Sequence, residues 1–264
     1  MSEKTILFTV EEGIGTITLN RPDVLNAFND QMFAEMRDVL KRAERDVSIR
    51  CLVITGAGRA FCAGQDLASL KPALEKGEPL AYGDLLRRTY NPLILKLRTM
   101  EKPIIAAING VAAGAGFSLA LACDVRLAAQ SARFTQAFVR IGLVPDSGST
   151  FFLPRIVGWT KAIELAMTGE PIDAQTAAEL GLVTAVVPTE ELQATTRQWA
   201  ERFARAPTRA LGLMKRAFHR ALTCTLEEAL EYEAYMQEIA GRTADHREGI
   251  QAFLEKRDPR FTGQ

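Results

Sequence analysis

The run IIAAINGVAAGAGFSLALAC, from Ile104 to Cys123, decides how the rest of the chain is read. Of its twenty residues, only Asn109 and Ser118 carry clearly polar side chains. Length and hydrophobicity alone would suit a membrane span. But Gly110, Gly114 and Gly116 interrupt the run, and Lys102-Pro103 stands just before it. The spacing therefore predicts a buried strand, a turn and a buried helix. The small residues from Asn109 to Phe117 let main chain approach a ligand closely, and the helix that follows would aim its positive end into that space. A dinucleotide fingerprint is absent. Gly114-x-Gly116 is followed by Leu119 where a third glycine belongs, Gly56-x-Gly58 by Phe61, and Asp124 comes too soon to hold a ribose. No Gly-Lys-Ser/Thr run occurs to mark a P-loop.

Working outward, Cys51 to Thr55, Pro103 to Ile108, Asp124 to Ala128 and Val183 to Val187 read as short apolar strands. Arg133 to Thr135 reads as a further extended piece. Thr5 to Asn20 alternates like a hairpin around Glu11-Glu12-Gly13. A helix is expected from Asn29 or Asp30, with Met32, Phe33, Met36, Val39 and Leu40 on its apolar face. Helical patterns also cover Ala81 to Arg98, Phe151 to Val157, Lys161 to Thr168 and Ile172 to Leu180. Lys71 to Pro79, charged and punctuated by two prolines and a glycine, is expected to be a loop over a pocket. After Glu190 the strand pattern stops, and Glu191 to Ala204, Thr208 to Ala221 and Leu226 to Ile239 are helical. The expected division is an α/β core over residues 1–200 and a helical C-terminal unit over 201–264, able to close a pocket or pack another subunit.

Composition narrows the classes. The chain has 264 residues, with 32 Lys+Arg against 32 Asp+Glu, so no general polycation is available to a nucleic acid backbone. Cys51, Cys62, Cys123 and Cys224 fit no zinc spacing, and His219 and His246 are the only histidines. Free buried thiols in a reducing compartment are expected. Met1 to Val10 lacks a signal peptide's apolar core, which points to the cytoplasm.

Two further segments could carry chemistry. Phe61-Cys62-Ala63-Gly64-Gln65-Asp66-Leu67 places a glycine between a strand and a probable helix start, either to expose amide hydrogens or simply to turn with Asp66 as a cap. In Gly142-Leu143-Val144-Pro145-Asp146-Ser147-Gly148-Ser149-Thr150, Asp146 is either a desolvated general base or a helix N-cap. Ser147 lacks a Gly-x-Ser-x-Gly elbow, and both histidines lie in the C-terminal unit, so a Ser/His/Asp triad is unsupported.

Together these segments resemble the crotonase family, the enoyl-CoA hydratase/isomerase superfamily. The resemblance runs in order through Leu19-Asn20-Arg21-Pro22 and Leu25-Asn26-Ala27, Phe61 to Leu67, Asn109 to Asp124, Gly142 to Thr150, and Glu248 to Arg257. It implies the ClpP/crotonase fold, with repeated ββα units in a superhelical core and a helical C-terminal region. It implies an oxyanion hole for an acyl-CoA thioester made by the backbone N–H groups of Gln65 and Ala115. It puts coenzyme A contacts at Asn26, Ala27, Ala63, Gly64, Gln65, Asp66 and Leu67. Ser118 and Phe138 stand where a hydratase of the family carries its two glutamates, so the resemblance disfavours hydration. Asp146 stands where several isomerases carry their acid/base. Ser149 replaces a glycine usual in that turn. The implied activity is acyl-CoA isomerisation, of an aromatic ring epoxide or of a Δ3 double bond. A catalytically silent acyl-CoA-binding protein is the alternative. No separate cofactor or metal is implied, coenzyme A being part of the substrate. A homotrimer or dimer of trimers is implied, with no nucleic acid and no membrane span. Tyr82, Leu85, Phe117 and Phe138 are candidates to line the pocket.

Overall fold

A computed structural model describes residues 3–77 and 80–264. Its strands are β1 (Ile6–Glu11), β2 (Ile14–Leu19), β3 (Cys51–Gly56), β4 (Ala60–Cys62), β5 (Ile104–Ile108), β6 (Val111–Ala113), β7 (Val125–Ala129), β8 (Arg133–Thr135), β9 (Ile172–Asp173) and β10 (Ala185–Val187). Its helices are α1 (Asp30–Arg45), α2 (Lys71–Glu75), α3 (Tyr82–Arg88), α4 (Tyr90–Thr99), α5 (Ala115–Ala122) and α6 (Ser149–Val157). They continue with α7 (Trp159–Thr168), α8 (Ala174–Glu179), α9 (Leu192–Arg205), α10 (Thr208–Ala221), α11 (Leu226–Gly241) and α12 (Ala244–Glu255).

Two sheets result. The larger runs β1-β2-β3-β5-β7-β10, parallel except for the β1–β2 hairpin. The smaller runs β4-β6-β8-β9, with only the β8–β9 pair antiparallel. The chain visits them alternately: β3, β5 and β7 enter the large sheet, and the strand after each, β4, β6 and β8, enters the small one. This is the α/β crotonase fold of repeated ββα units with a helical C-terminal region.

The strands read as continuous apolar runs because both faces of the large sheet are covered. Side chains alternate across it with period two. Leu52, Ile54, Ile104, Ala106 and Ile108 enter the main core with Met32, Met36, Leu97 and Phe117. Cys51, Val53, Ile105, Ala107, Leu127 and Ala129 face the other way, onto Leu192, Ala200 and Ala204 of α9. Residue 200, the expected domain boundary, thus falls inside a helix that covers the sheet.

Several expectations change. Of the small sheet only β8 was legible, as the extended piece Arg133 to Thr135; β4 and β6 are three residues each and were not read. Ile172–Asp173 is a strand rather than the start of a helix: it pairs with Arg133–Phe134, and Asp173 then caps α8 by accepting from the Thr176 amide. The expected loop from Lys71 to Pro79 carries α2 instead. Pro72 suits its first turn, and Lys71 pairs with Glu75 at 3.6 Å one turn on. Glu78 and Pro79 lie outside the described residues. All four cysteines are free, but Cys224 is only half-buried. Among the described residues no helix is long and apolar enough to cross a membrane.

Candidate functional site

Two turns meet at the C-terminal edge of the small sheet's first strands. The first follows β4. Phe28 N–H donates to the Gly64 carbonyl at 2.7 Å, and Asp66 N–H donates to the Phe28 carbonyl at 2.9 Å. In an extended segment the residue between points its N–H the opposite way, so the Gln65 amide faces away from Phe28. The second turn ends at Gly114, and Ala115 opens α5 as its first residue. The first amides of a helix have no intrahelical acceptor. Neither the Gln65 nor the Ala115 amide donates to a protein acceptor among the described residues.

Gly64 brings the turns together. Its φ of +93° is a glycine conformation, and an added Cβ would stand 2.9 Å from the Ala113 carbonyl oxygen and 3.2 Å from the Ala115 nitrogen. The space before the Ala115 amide exists because residue 64 has no side chain. Cys62 holds the turn from behind, its thiol donating to the Asn26 carbonyl at 3.2 Å and accepting from Gly64 N–H at 3.4 Å. Burial pushes that thiol up to about 12, so it stays neutral.

A cavity of about 280 Å³ opens in front of these amides. Ala63, Gly64, Gln65 and Leu67 form one wall, Gly114, Ala115 and Phe138 a second, and Tyr82, Leu85, Leu86 and Tyr90 a third. Asp146 completes it and is the one carboxylate among its described lining residues. A wider groove of about 560 Å³ runs between α1 and α4, lined largely by charged side chains, and none of the chemistry-bearing segments reaches it.

Asp146 is not a helix cap by its side chain, since α6 has no side-chain cap. Its main-chain oxygen accepts from the Ser118 hydroxyl at 3.0 Å and the Ser149 amide at 2.9 Å. Its Oδ1 accepts from the Ser147 hydroxyl at 2.8 Å. Burial raises the carboxyl above the usual aspartate range, and the Ser147 bond opposes that rise. Ser149 fits without disturbing the turn, donating instead to Gln136 Oε1 at 3.0 Å inside the protein.

Of the seven residues expected near coenzyme A, Ala63, Gly64, Gln65 and Leu67 line the cavity. The others are engaged within the protein. Asn26 is fully buried, its amide side chain bonded to Arg21 N–H and to the Ala57 and Ala60 carbonyls. Arg21 donates to the Ala27 carbonyl and to Asp66, at 2.6 and 2.9 Å. These three therefore shape the turn from behind. Tyr82, Leu85 and Phe138 line the cavity as expected, whereas Phe117 is core, packed on Phe134 at 5.3 Å. Sequence reasoning missed Tyr90 as a wall residue. Its hydroxyl and Gln65 Oε1 are both buried without a protein partner. A tyrosine on a helix face carries no sequence signal that its hydroxyl is unpaired.

Comparison with known proteins gives the same frame. Residues 9–264 match the family described as enoyl-CoA hydratase/isomerase. A "1,2-epoxyphenylacetyl-CoA isomerase" of Escherichia coli is 49% identical over 98% of both chains. A "probable enoyl-CoA hydratase" of Rhodobacter capsulatus is 46% identical over 100% of both. The crystal structure of an enoyl-CoA hydratase/isomerase from Cupriavidus metallidurans superposes with a TM-score of 0.91 at 37% identity, covering 100% of this chain and 98% of that one. The chain belongs to the enoyl-CoA hydratase/isomerase family, whose members act on acyl-CoA thioesters.

Proposed function

We propose that the protein is an acyl-CoA isomerase that converts ring-1,2-epoxyphenylacetyl-CoA to the oxepin thioester and shifts the double bond of 3,4-dehydroadipyl-CoA to the 2,3 position. The observation that carries this reading is one carboxylate, Asp146, in a cavity that also presents two unengaged main-chain amides. A single base can take a proton from one carbon and return it to another. Adding water across a double bond calls for groups to hold and deprotonate that water, and Ser118 and Phe138 supply no carboxylate.

In the proposed mechanism the thioester oxygen accepts hydrogen bonds from the Gln65 and Ala115 amides. Asp146 takes a proton from the α-carbon, and the C–H electron pair moves into an enolate on that oxygen. Two such donors are worth roughly 3–4 kcal/mol each where charge develops. The pair then returns to form the α,β double bond, while the former β,γ pair takes the proton from Asp146 at the γ-carbon. In the ring epoxide, the carbon–carbon bond shared by the epoxide opens to a seven-membered oxepin whose ring double bond stands β,γ to the thioester. The same proton shift conjugates it. The Tyr90 hydroxyl at the cavity wall, a donor with no acceptor among the described residues, favours an acyl group that carries an acceptor oxygen over a bare hydrocarbon.

Ala63, Gly64, Gln65 and Leu67 would contact the coenzyme A arm largely through main chain, with Asn26, Ala27 and Asp66 supporting them. A homotrimer or dimer of trimers belongs to the same reading, supported by the exposed Phe218, Leu226, Leu230, Phe253 and Leu254 on α10 to α12. Sedimentation analysis tests it.

Mass spectrometry of trans-3-hexenoyl-CoA incubated with the protein in D2O, followed by the ring epoxide made in situ, tests the chemistry. The expected result is a double-bond shift without added water, slowed roughly 10²- to 10⁴-fold in Asp146→Asn with the fold retained. Water addition identifies a hydratase. Conversion of the hydrocarbon but not the epoxide identifies a general Δ3,Δ2-enoyl-CoA isomerase. Thioester binding without any α-hydrogen exchange identifies a silent binding protein.

A further inference from the structure

Ser147 adopts φ +52°, the left-handed region, although it carries a side chain and is almost wholly buried. That conformation is strained for a residue with a Cβ. Glycine would take it freely, as Gly148 does next door at φ +81°. What a serine adds at this position is its hydroxyl, and the hydroxyl is spent on Asp146 Oδ1.

The neighbouring bonds show what remains to be fixed. Ser118 and the Ser149 amide hold the Asp146 main-chain oxygen from α5 and from α6, so the residue's backbone is pinned on two sides. The remaining freedom is rotation of the carboxyl group, and Ser147 restrains it. Oδ2 accepts no hydrogen bond among the described residues, and Asp146 lines the cavity. The ionisable groups that face this region are Tyr90 and Tyr82 from the α3–α4 wall, Cys62 from β4, and Arg140 from the Ala137–Ile141 turn. Burial holds the Tyr90 phenol and the Cys62 thiol in their neutral forms.

We propose that Ser147 is the positioning residue of the proton shuttle: its hydroxyl holds Oδ1 so that Oδ2 alone carries the proton between the two acyl carbons. This rests on the reading of Asp146 as the acid and base. The step balances without a co-reactant. The α C–H bond breaks and its proton goes to Oδ2. The electron pair goes to the thioester oxygen and returns as the new double bond, and the same proton forms the γ C–H bond. Asp146 ends as the carboxylate that began. Throughout, the Ser147 O–H stays on Oδ1, so the loaded oxygen stays turned toward the substrate and away from exchange with water.

The test compares wild type, Ser147→Gly, Ser147→Ala and Asp146→Asn on whichever of trans-3-hexenoyl-CoA or the ring epoxide the wild type converts. Ser147→Gly removes the hydroxyl and relieves the backbone, whereas Ser147→Ala removes the hydroxyl and keeps the strain. Two readouts are followed: deuterium incorporated per turnover in D2O, and the acid limb of kcat/KM. A freed carboxyl exchanges its proton more often, so at least a doubling of deuterium incorporation is expected in both serine variants, roughly. The lost bond favoured the carboxylate, so the acid limb moves up, by roughly half to one pH unit. Only Ser147→Ala is expected to lose thermal stability relative to Ser147→Gly. Wild-type values for both readouts in Ser147→Gly overturn the inference, as does an effect confined to Ser147→Ala, which would assign the role to backbone geometry. If Asp146→Asn is inactive in either case, the isomerase reading survives and Ser147 alone is reassigned. Near-full turnover by Asp146→Asn, or conversion of neither substrate by wild type, overturns both.

Discussion

At residue 64 a single added methyl group would close the approach to a main-chain amide. Gly64 needs a positive φ, and its missing side chain is the space through which the Ala115 amide is reached. Gly64→Ala is expected to lower kcat by roughly a hundredfold or more, the cost of losing one oxyanion donor. Circular dichroism separates this from unfolding, and steady-state kinetics on a trans-3-enoyl-CoA reads the effect. In the proposed reaction Asp146 carries the complementary chemistry. Because burial raises its carboxyl, the base form disappears at a higher pH than for an ordinary aspartate, and turnover should fall as pH drops through that raised value. A carboxylate at the surface would keep its base form to lower pH but would be a weaker base.

Among the structural elements, the turn before α1 matters as much as the helix that ends in the cavity. Asn26 has φ +58° and ties Arg21, Ala57 and Ala60 together from a fully buried position. Asparagine tolerates that conformation better than most residues. Asn26→Ala leaves the Arg21 N–H and the Ala57 carbonyl without these partners, and should cost about 3 kcal/mol, read as a lower urea midpoint. Activity should fall with it, since the same turn holds the Asn26 main-chain carbonyl that accepts the Cys62 thiol behind Gly64. The register of the small sheet has the same purpose. β4 and β6 pair in parallel, which sets the end of β4 beside the start of α5. Thus the two amides come from segments about fifty residues apart in sequence, held by a sheet of three-residue strands.

Across the whole molecule, the helical C-terminal region is fastened to the core by a nearly buried lysine and a half-buried arginine as well as by apolar contact. Lys215 on α10 donates to Asp124 at 2.8 Å and to the Leu97 carbonyl at 2.8 Å. Arg50 reaches Thr208 and the carbonyls of Ala206 and Phe261, tying the entry to β3 to the chain's last residues. Burial lowers the Lys215 ammonium below its usual range while Asp124 pulls it back up. Without Lys215, Asp124 keeps Arg98 at 3.6 Å and the Ile104 amide at 2.9 Å, while the Leu97 carbonyl loses its bond to the ammonium. Lys215→Met is therefore expected to destabilise the fold by about 2–3 kcal/mol, the loss of charge-assisted hydrogen bonds, checked by thermal or urea unfolding. Activity per folded molecule should persist, because Lys215 lies outside the cavity that holds Asp146.

Much of this molecule was determined by local sequence. The hairpin, the long strands of the large sheet and most helices follow from apolar period and from glycine and proline punctuation, which act over a few residues. The family resemblance likewise rests on short ordered segments, and it brought Gln65, Ala115 and Asp146 forward as candidates. Other features needed the tertiary structure. Arg133 to Thr135 read as extended, but the three-residue β4 and β6 carry too little periodicity to be read, so the small sheet emerges only when β6 lies beside β4 and β8. Ile172–Asp173 is extended because β8 offers it a partner, overriding a helical pattern. The internal hydrogen bonds of Asn26, Ala27 and Asp66 behind the Gly64 turn are likewise a matter of what surrounds them rather than of what they are. The unpaired Tyr90 hydroxyl and the hold of Ser147 on one carboxylate oxygen are decided in the same way, because burial and hydrogen-bond completeness belong to contacts between distant segments and to no single stretch of chain.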